Sequence, residues 1–319
     1  MLLYFDTNVY NYIERLDQSR QLRRLLRTTS HAVMVSMDVV LESARIQDTA
    51  QRKARLEVIR MMASNFPRRP KSYLESQELI QEIRRCRPGW FIARPNVKEI
   101  NYYLRNYKFI MTAFLKSGSL ELTEGFHEYV SQAERAIQLS KPYQKIIRAS
   151  MVAGADVEFG ADDPKWHGLI EHLPNIERHW RLQSNLIWYK ALSGDPSMRD
   201  YHDWVAPHLD LAKISPEDWN LFWLRDVRAI SLPRTRVRCL AEYHQSSVSV
   251  SHGNSIDINH ATYLLDCDTF FTCDRQFHNV LTRVKGDINM QVAKPVLINS
   301  SERSAIDQFK EALCSLQPK

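Results

Sequence analysis

Two short apolar runs, far apart in the chain, each end in a carboxylate. Leu2-Leu3-Tyr4-Phe5 stops at Asp6-Thr7-Asn8, and Thr269-Phe270-Phe271-Thr272 stops at Cys273-Asp274. If both runs are strands of one parallel sheet, their acids lie outside the carboxyl ends of the strands, where open α/β sheets bind ligands. Two carboxylates there suit a hard divalent cation such as Mg2+ or Mn2+, which takes oxygen ligands and keeps several waters. Such an ion neutralises a phosphodiester, activates a water and stabilises the leaving oxygen, so the chemistry indicated is metal-assisted hydrolysis of an anionic substrate. Glu42 and Asp257 extend the acidic set. Singly, each acid also reads as a turn or helix cap or as a solvated side chain. Together, four clustered carboxylates would repel one another, and a bound cation relieves that repulsion.

The elements that must position these acids follow from the spacing of apolar residues. After Asp6, Val9, Tyr12, Ile13 and Leu16 recur at helical intervals. Ala32-Val33-Met34-Val35 reads as a second strand. Ser36 can cap the helix after it, whose apolar stripe is Met37, Val40, Leu41 and Ala44 and which carries Glu42 in its second turn. Strand, helix, strand, helix argues for a parallel sheet with right-handed crossovers. From about Gln51 to Leu232 the periodicity is helical almost throughout, and all seven tryptophans fall between Trp90 and Trp223. At helical spacing such aromatics read as core. The α/β pattern then returns. Arg236 to Tyr243 reads as a helix, Asp257 opens another with Ile258, Ala261 and Leu265 on one face, and Thr269–Thr272 and Lys294–Asn299 read as strands. The architecture expected is α/β, with a core split between residues 1–60 and 233–319 and an all-α insertion over residues 61–232.

In order and spacing, Asp6-Thr7-Asn8, Glu42, and Asp257 running to Thr272-Cys273-Asp274-Arg275-Gln276-Phe277 resemble a PIN-domain nuclease. The third and fourth acids are 17 residues apart, which suits that family's helix plus strand. The resemblance implies a flavodoxin-like parallel sheet with helices on both faces. It also implies Mg2+- or Mn2+-dependent phosphodiester hydrolysis, most often of RNA. Asp6, Glu42, Asp257 and Asp274 would then be the catalytic metal ligands, with Asn8 and Thr272 as polar supporters. Asp38 lies one turn before Glu42 and competes for the place of the second acid. The resemblance spans roughly residues 1–60 and 235–305, and the long helical middle departs from the small members of the family.

Net charge is +6, and its distribution is uneven. Residues 1–110 hold 20 Lys and Arg against 11 Asp and Glu, whereas residues 111–232 hold 13 against 17. A basic surface attracts phosphate backbones, so the first third is expected to supply nucleic-acid contacts, with Arg68, Arg69, Arg84 and Arg85 as candidates. RNA is favoured over DNA as substrate. The helical middle is open to a regulatory protein or a second copy of the chain. A DNA-cutting toxin or defence effector activated by a partner, and a non-catalytic binding scaffold, are the competing readings. No CxxC pair, HExxH, Walker loop, GxSxG or GxGxxG occurs, and Asp6-Thr7-Asn8 has one acid where an Asp-x-Asp phosphoryl-transfer pair needs two. No apolar stretch approaches the ~20 residues that span a bilayer, the start lacks the basic residues of a signal peptide, and five free cysteines suit a reducing cytoplasm. His260, one turn after Asp257, reads as a structural histidine, and Asp266 and Asp268 as loop carboxylates.

Overall fold

The computed structural model describes residues 1–64, 69–117, 164–246, 254–301 and 304–315. These form two compact units. One comprises the described residues of Met1–Arg68, Lys108–Ser131 and Asn259–Lys319, and the other those of Arg69–Tyr107 and Gln132–Ile258.

The first unit is α/β. Its four strands, β1 (Leu2–Phe5), β2 (Ala32–Met34), β3 (Thr269–Thr272) and β4 (Lys294–Leu297), pair in parallel in the order β2-β1-β3-β4. Leu3 lies opposite both Val33 and Thr269, and Phe5 lies opposite Phe271. The two inner strands, β1 and β3, are almost wholly buried, as expected where both faces of a parallel sheet are covered. Successive strand side chains point to opposite faces. Tyr4 and Phe270 pack with Tyr263 and Phe277 on one face. Phe5 and Phe271 pack against Phe309 on the other, each ring about 5.2–5.4 Å from its neighbour. Each fully buried aromatic contributes about 2–3 kcal/mol. Pro295 sits in the outer strand β4, where a missing N–H is tolerated.

Polar residues at the strand ends start the helices. Asp6 caps the helix Thr7–Arg15 through Val9 N, Ser36 caps Met37–Ala44 through Val39 N, and Asp274 caps Arg275–Asp287 through Phe277 N. Asp48 and Ser304 do the same for Thr49–Met62 and Ala305–Cys314. Each such cap is worth about 1 kcal/mol.

The second unit is helical, and no strand occurs among its described residues. Its core gathers Trp90, Trp180, Trp188, Trp219 and Trp223 with Leu79, Ile83 and Phe222. Lys71–Cys86, Asn175–Leu192 and Pro233–Ser246 are its longer helices, and a π-helical turn over Phe222–Asp226 directs Phe222 and Trp223 inward. Gly194, at φ 77°, takes the left-handed conformation just beyond the end of Asn175–Leu192. The helix Pro233–Ser246, grouped by pattern with the α/β core, lies in this unit, where Cys239 joins the tryptophan cluster. The helix carrying Asp257 spans Asn254–Ala261, so Asp257 stands within its first turn rather than opening it.

Candidate functional site

Asp6 leaves the carboxyl end of β1 and is almost fully buried. Its backbone N donates to Phe271 O, which extends the pairing of β1 with β3 and ties the acid to the strand beside it. Its side chain faces neutral donors. Oδ1 accepts from Val9 N at 3.0 Å, and Oδ2 accepts from the Thr272 hydroxyl. Thr272 Oγ1 also accepts from Asp274 N at 3.0 Å, so one hydroxyl links the acids at the ends of β1 and β3. Among the described residues, Asp6 has no Lys or Arg ion-pair partner. Burial therefore dominates, outweighing the Thr272 and Val9 hydrogen bonds and the charge of His260, and pushes the Asp6 pKa up to about 6.

Glu42 is placed by the residue after Asp6. The Thr7 hydroxyl donates to Glu42 Oε2, and His260 Nε2 lies 3.3 Å from the same oxygen. Burial opposes ionisation of Glu42, but the hydrogen bond and charge of His260, together with Thr7, outweigh it and hold the pKa below the usual carboxylate range. His260 is itself buried, which opposes its charge. Glu42, helped by Asp38 and Asp6, outweighs that burial and raises the imidazole pKa.

The other ring nitrogen of His260 is also engaged. Tyr4 Oη lies 2.6 Å from His260 Nδ1 and 2.7 Å from Ser36 Oγ, which accepts from Val39 N. A carboxylate accepts only, so Nε2 carries a proton. The chain Glu42, His260, Tyr4, Ser36 then satisfies every member inside the fold. Asp38, the competitor for the second acid, accepts from Tyr263 Oη at 2.8 Å, and its charge also acts on His260 and Tyr4. Of the two, Glu42 is the one bound to the Asp6-Thr7-Asn8 turn.

Asp274 caps its helix with Oδ1 at 2.9 Å from Phe277 N. It also lines a cleft of about 220 Å³ with Asn8, Asn11, Tyr12, Arg15, Cys273 and Ser300. Asn8 is exposed there, on the cleft wall. Burial, reinforced by Asp6, pushes the Cys273 thiol pKa far up, so this cysteine is no thiolate nucleophile. Asp257 belongs to the helical unit, where it accepts from Gln245 Nε2 at 3.3 Å.

Among the described residues, no group of three or more His, Cys, Asp or Glu side chains converges as a metal cluster. The acids brought into mutual influence are Asp6 and Glu42, with Asp274 reached through Thr272.

The basic candidates are partly spent on the fold. Arg85 donates to Glu82 at 2.5 Å and to Asp226 O at 2.7 Å. Arg84 stacks 4.8 Å from the Phe91 ring and Arg69 5.2 Å from the Tyr73 ring, and among the described residues their donors make no hydrogen bond. Arg68 lies outside the described residues.

The residues that sequence reasoning missed are Thr7 and Tyr4. Thr7 stands inside the motif, but nothing local tells that its hydroxyl reaches a glutamate 35 positions away. Among the described residues no helix is long and apolar enough to cross a membrane. Comparison of the chain with protein-family models, with curated proteins and with solved structures finds no match.

Proposed function

We propose that this protein is a metal-dependent hydrolase of phosphodiester bonds, an endoribonuclease with a PIN-like catalytic unit. The observation that carries the reading is Asp6, a carboxylate buried at the end of an inner parallel strand, beside the strand that delivers Asp274, and held by neutral donors. Strongly perturbed acids without a structural ion-pair partner mark functional sites. The strand order β2-β1-β3-β4 supports the flavodoxin-like arrangement that the resemblance implies.

The donor chemistry fits Mg2+ or Mn2+. Asp6, Glu42 and Asp274 offer only hard carboxylate oxygens. Mg2+ is commonly held by one or two carboxylates plus waters and substrate phosphate, so this reading does not require a closed protein cage. When bound, the ion supplies charge neutralisation and lowers the pKa of a water. The protein's own residues supply orientation. Val9 N and Thr272 fix both oxygens of Asp6, while Thr7 and His260 fix Oε2 of Glu42 and favour its ionised form. The basic first third would hold the phosphate backbone.

The test is cleavage of a labelled pool of RNA and single-stranded DNA in Mn2+, Mg2+ or EDTA, with Asp6→Asn in parallel. Metal-dependent cutting of RNA that disappears in EDTA and in the variant is expected. Cutting of DNA alone would move the substrate class, and Asp6→Asn cutting at the wild-type rate would remove the site.

A further inference from the structure

The cleft beside Asp274 presents donors that the fold does not consume. Asn8, Asn11 and Arg15 recur at i, i+3 and i+7 along the helix Thr7–Arg15, which puts all three on one face. With Tyr12 they form one wall. Cys273 and Asp274, just after β3, and Ser300, beyond β4, form the other, so the cleft opens at the carboxyl edge of the sheet. Asn8, Asn11 and Arg15 are exposed. Arg15 Nη2 donates to Ser300 O, which holds the guanidinium at the rim with its other N–H groups unspent among the described residues. Asn11 Oδ1 accepts from Arg55 Nη2 at 2.7 Å, and Arg55 is in turn paired with Glu14. That fixes the Asn11 amide and leaves its Nδ2 donors as the free end. Asn8 makes no side-chain hydrogen bond among the described residues.

The two ends of the cleft differ in charge. Arg15 offers a planar fork that matches phosphate oxygens. Asp274 would repel a compact phosphate dianion lying against it. A ligand that suits both carries its negative charge at one end and a neutral, hydrogen-bonding body at the other. Carboxamides donate and accept together, as the edges of nucleobases and ribose hydroxyls do. A volume of about 220 Å³ is several times the ~30 Å³ share of a water, so the space takes an organic group.

We propose that this cleft is the subsite for one nucleotide of the substrate strand, with Arg15 on its phosphate and Asn8 and Asn11 on its base or ribose. The proposal rests on the reading of Asp6 and Asp274 as the hydrolytic site, and it adds the element that sets which nucleotide lies beside the cut bond.

The experiment is calorimetric titration of the full chain, in EDTA, with adenosine 5′-monophosphate, uridine 5′-monophosphate and inorganic phosphate. It is run on wild type, Arg15→Ala and Asn8→Ala, with oligonucleotide cleavage measured on the same samples. Saturable nucleotide binding is expected, weakened about tenfold or more by Arg15→Ala, as for a lost charge-assisted hydrogen bond, and by a smaller factor by Asn8→Ala. Inorganic phosphate should bind more weakly than either nucleotide. Asn8 carries no contact that the fold needs, so its variant keeps the test open should Arg15→Ala unfold. Nucleotide affinity and cleavage KM indifferent to both substitutions would overturn the subsite while leaving the hydrolase. Phosphate binding as tightly as the nucleotides would reduce the cleft to a plain anion site and overturn the proposal. Arg15-dependent nucleotide binding in a protein that cuts nothing would uphold the subsite and remove the hydrolase.

Discussion

The most buried acids of the two units are held in different ways. In the helical unit Glu75 and Glu177 sit against arginines, while Glu242 takes a neutral donor from Gln183. Arg238 lies 3.2 Å from the fully buried Glu75, Arg87 bridges Asp218 and Asp226, and Arg236 and Arg181 share Glu177. In the α/β unit, Arg55 and Glu14 pair in the same way and Glu42 pairs with His260, but Asp6 does not. Asp6 is held by the Thr272 hydroxyl and the Val9 backbone N–H. Paired charges hold helices in register, and breaking a pair strands its partner in an apolar core. An acid left without a side-chain cation is costly to the fold, and such acids cluster where chemistry is done. On the function proposed above, the contrast separates Glu75, which serves packing, from Asp6, which would be available to a cation.

The comparison breaks most decisively at Asp6. Asp6→Asn is expected to lower metal-dependent cleavage by on the order of 10⁴-fold, since removing an anionic ligand forfeits several kcal/mol of stabilisation. Thermal unfolding of the same variant without divalent ion should show no loss of stability, because the substitution removes a desolvated charge. A large drop in Tm would assign Asp6 to the fold instead.

Arg238→Met is the converse. It leaves Glu75 unpaired and fully buried, and should lower unfolding free energy by about 3–5 kcal/mol in urea titrations. The double variant with Glu75→Leu should recover most of that loss. Equal losses in the single and double variants would mean that the pair is not what stabilises this core.

Stability against pH sharpens the contrast, because the two units should respond with opposite sign. Asp6 has a native pKa of about 6, above the 3.8 of a free aspartate, so between those values the native state holds a proton that the unfolded chain has lost. Stability then falls as pH rises through that window. His179, buried in the helical unit, has its pKa pushed down by burial from 6.5 to about 4. Between those values the unfolded chain holds the extra proton, and stability rises with pH. Each effect is worth about 3 kcal/mol at full span, so they nearly cancel in the wild type. Without divalent ion, Asp6→Asn should show stability rising from pH 4 to 6.5, and His179→Gln should show it falling. Parallel profiles in the two variants would defeat the assignment.

Smaller effects are expected around Glu42 and at the basic surface. His260→Asn removes the contact at Glu42 Oε2 and should weaken Mn2+ binding by roughly 10–100-fold, as loss of an outer-shell partner does. Retained affinity would confine His260 to packing against Tyr4. Arg84→Ala should change oligonucleotide binding by about 1 kcal/mol or less, with a salt slope shallower by about one. Arg85→Ala should register in stability instead, because its donors are bound to Glu82 and Asp226 O.

The acids at the strand ends were legible because the signal is local. Apolar runs such as Leu2–Phe5 and Thr269–Thr272 can be satisfied only as buried strands, and Asp6 and Asp274 follow at once as helix caps. Glu42 was legible as a helix residue but not as the partner of Thr7 and His260. Those contacts join positions 35 and 218 residues apart, and no spacing rule reaches so far. The helix Pro233–Ser246 teaches the same lesson. Its amphipathic period identifies a helix, while the unit it joins is set by Cys239 packing in the cluster that holds Trp180 and Trp188.

Sequence by itself determined the alternation of strands and helices, the parallel character of the sheet, the strand-end positions of Asp6 and Asp274, and the helical nature of the described middle, because propensity, periodicity and capping act within a few residues. Only the tertiary structure decided that Thr272 links Asp6 to Asp274, that Tyr4 and His260 hold Glu42, that Asn8, Asn11 and Arg15 line a cleft, and that Arg85 is spent on Glu82. Those outcomes depend on which buried polar groups meet once the core closes. Burial favours a partner for each polar group, and the packing of distant segments selects which one.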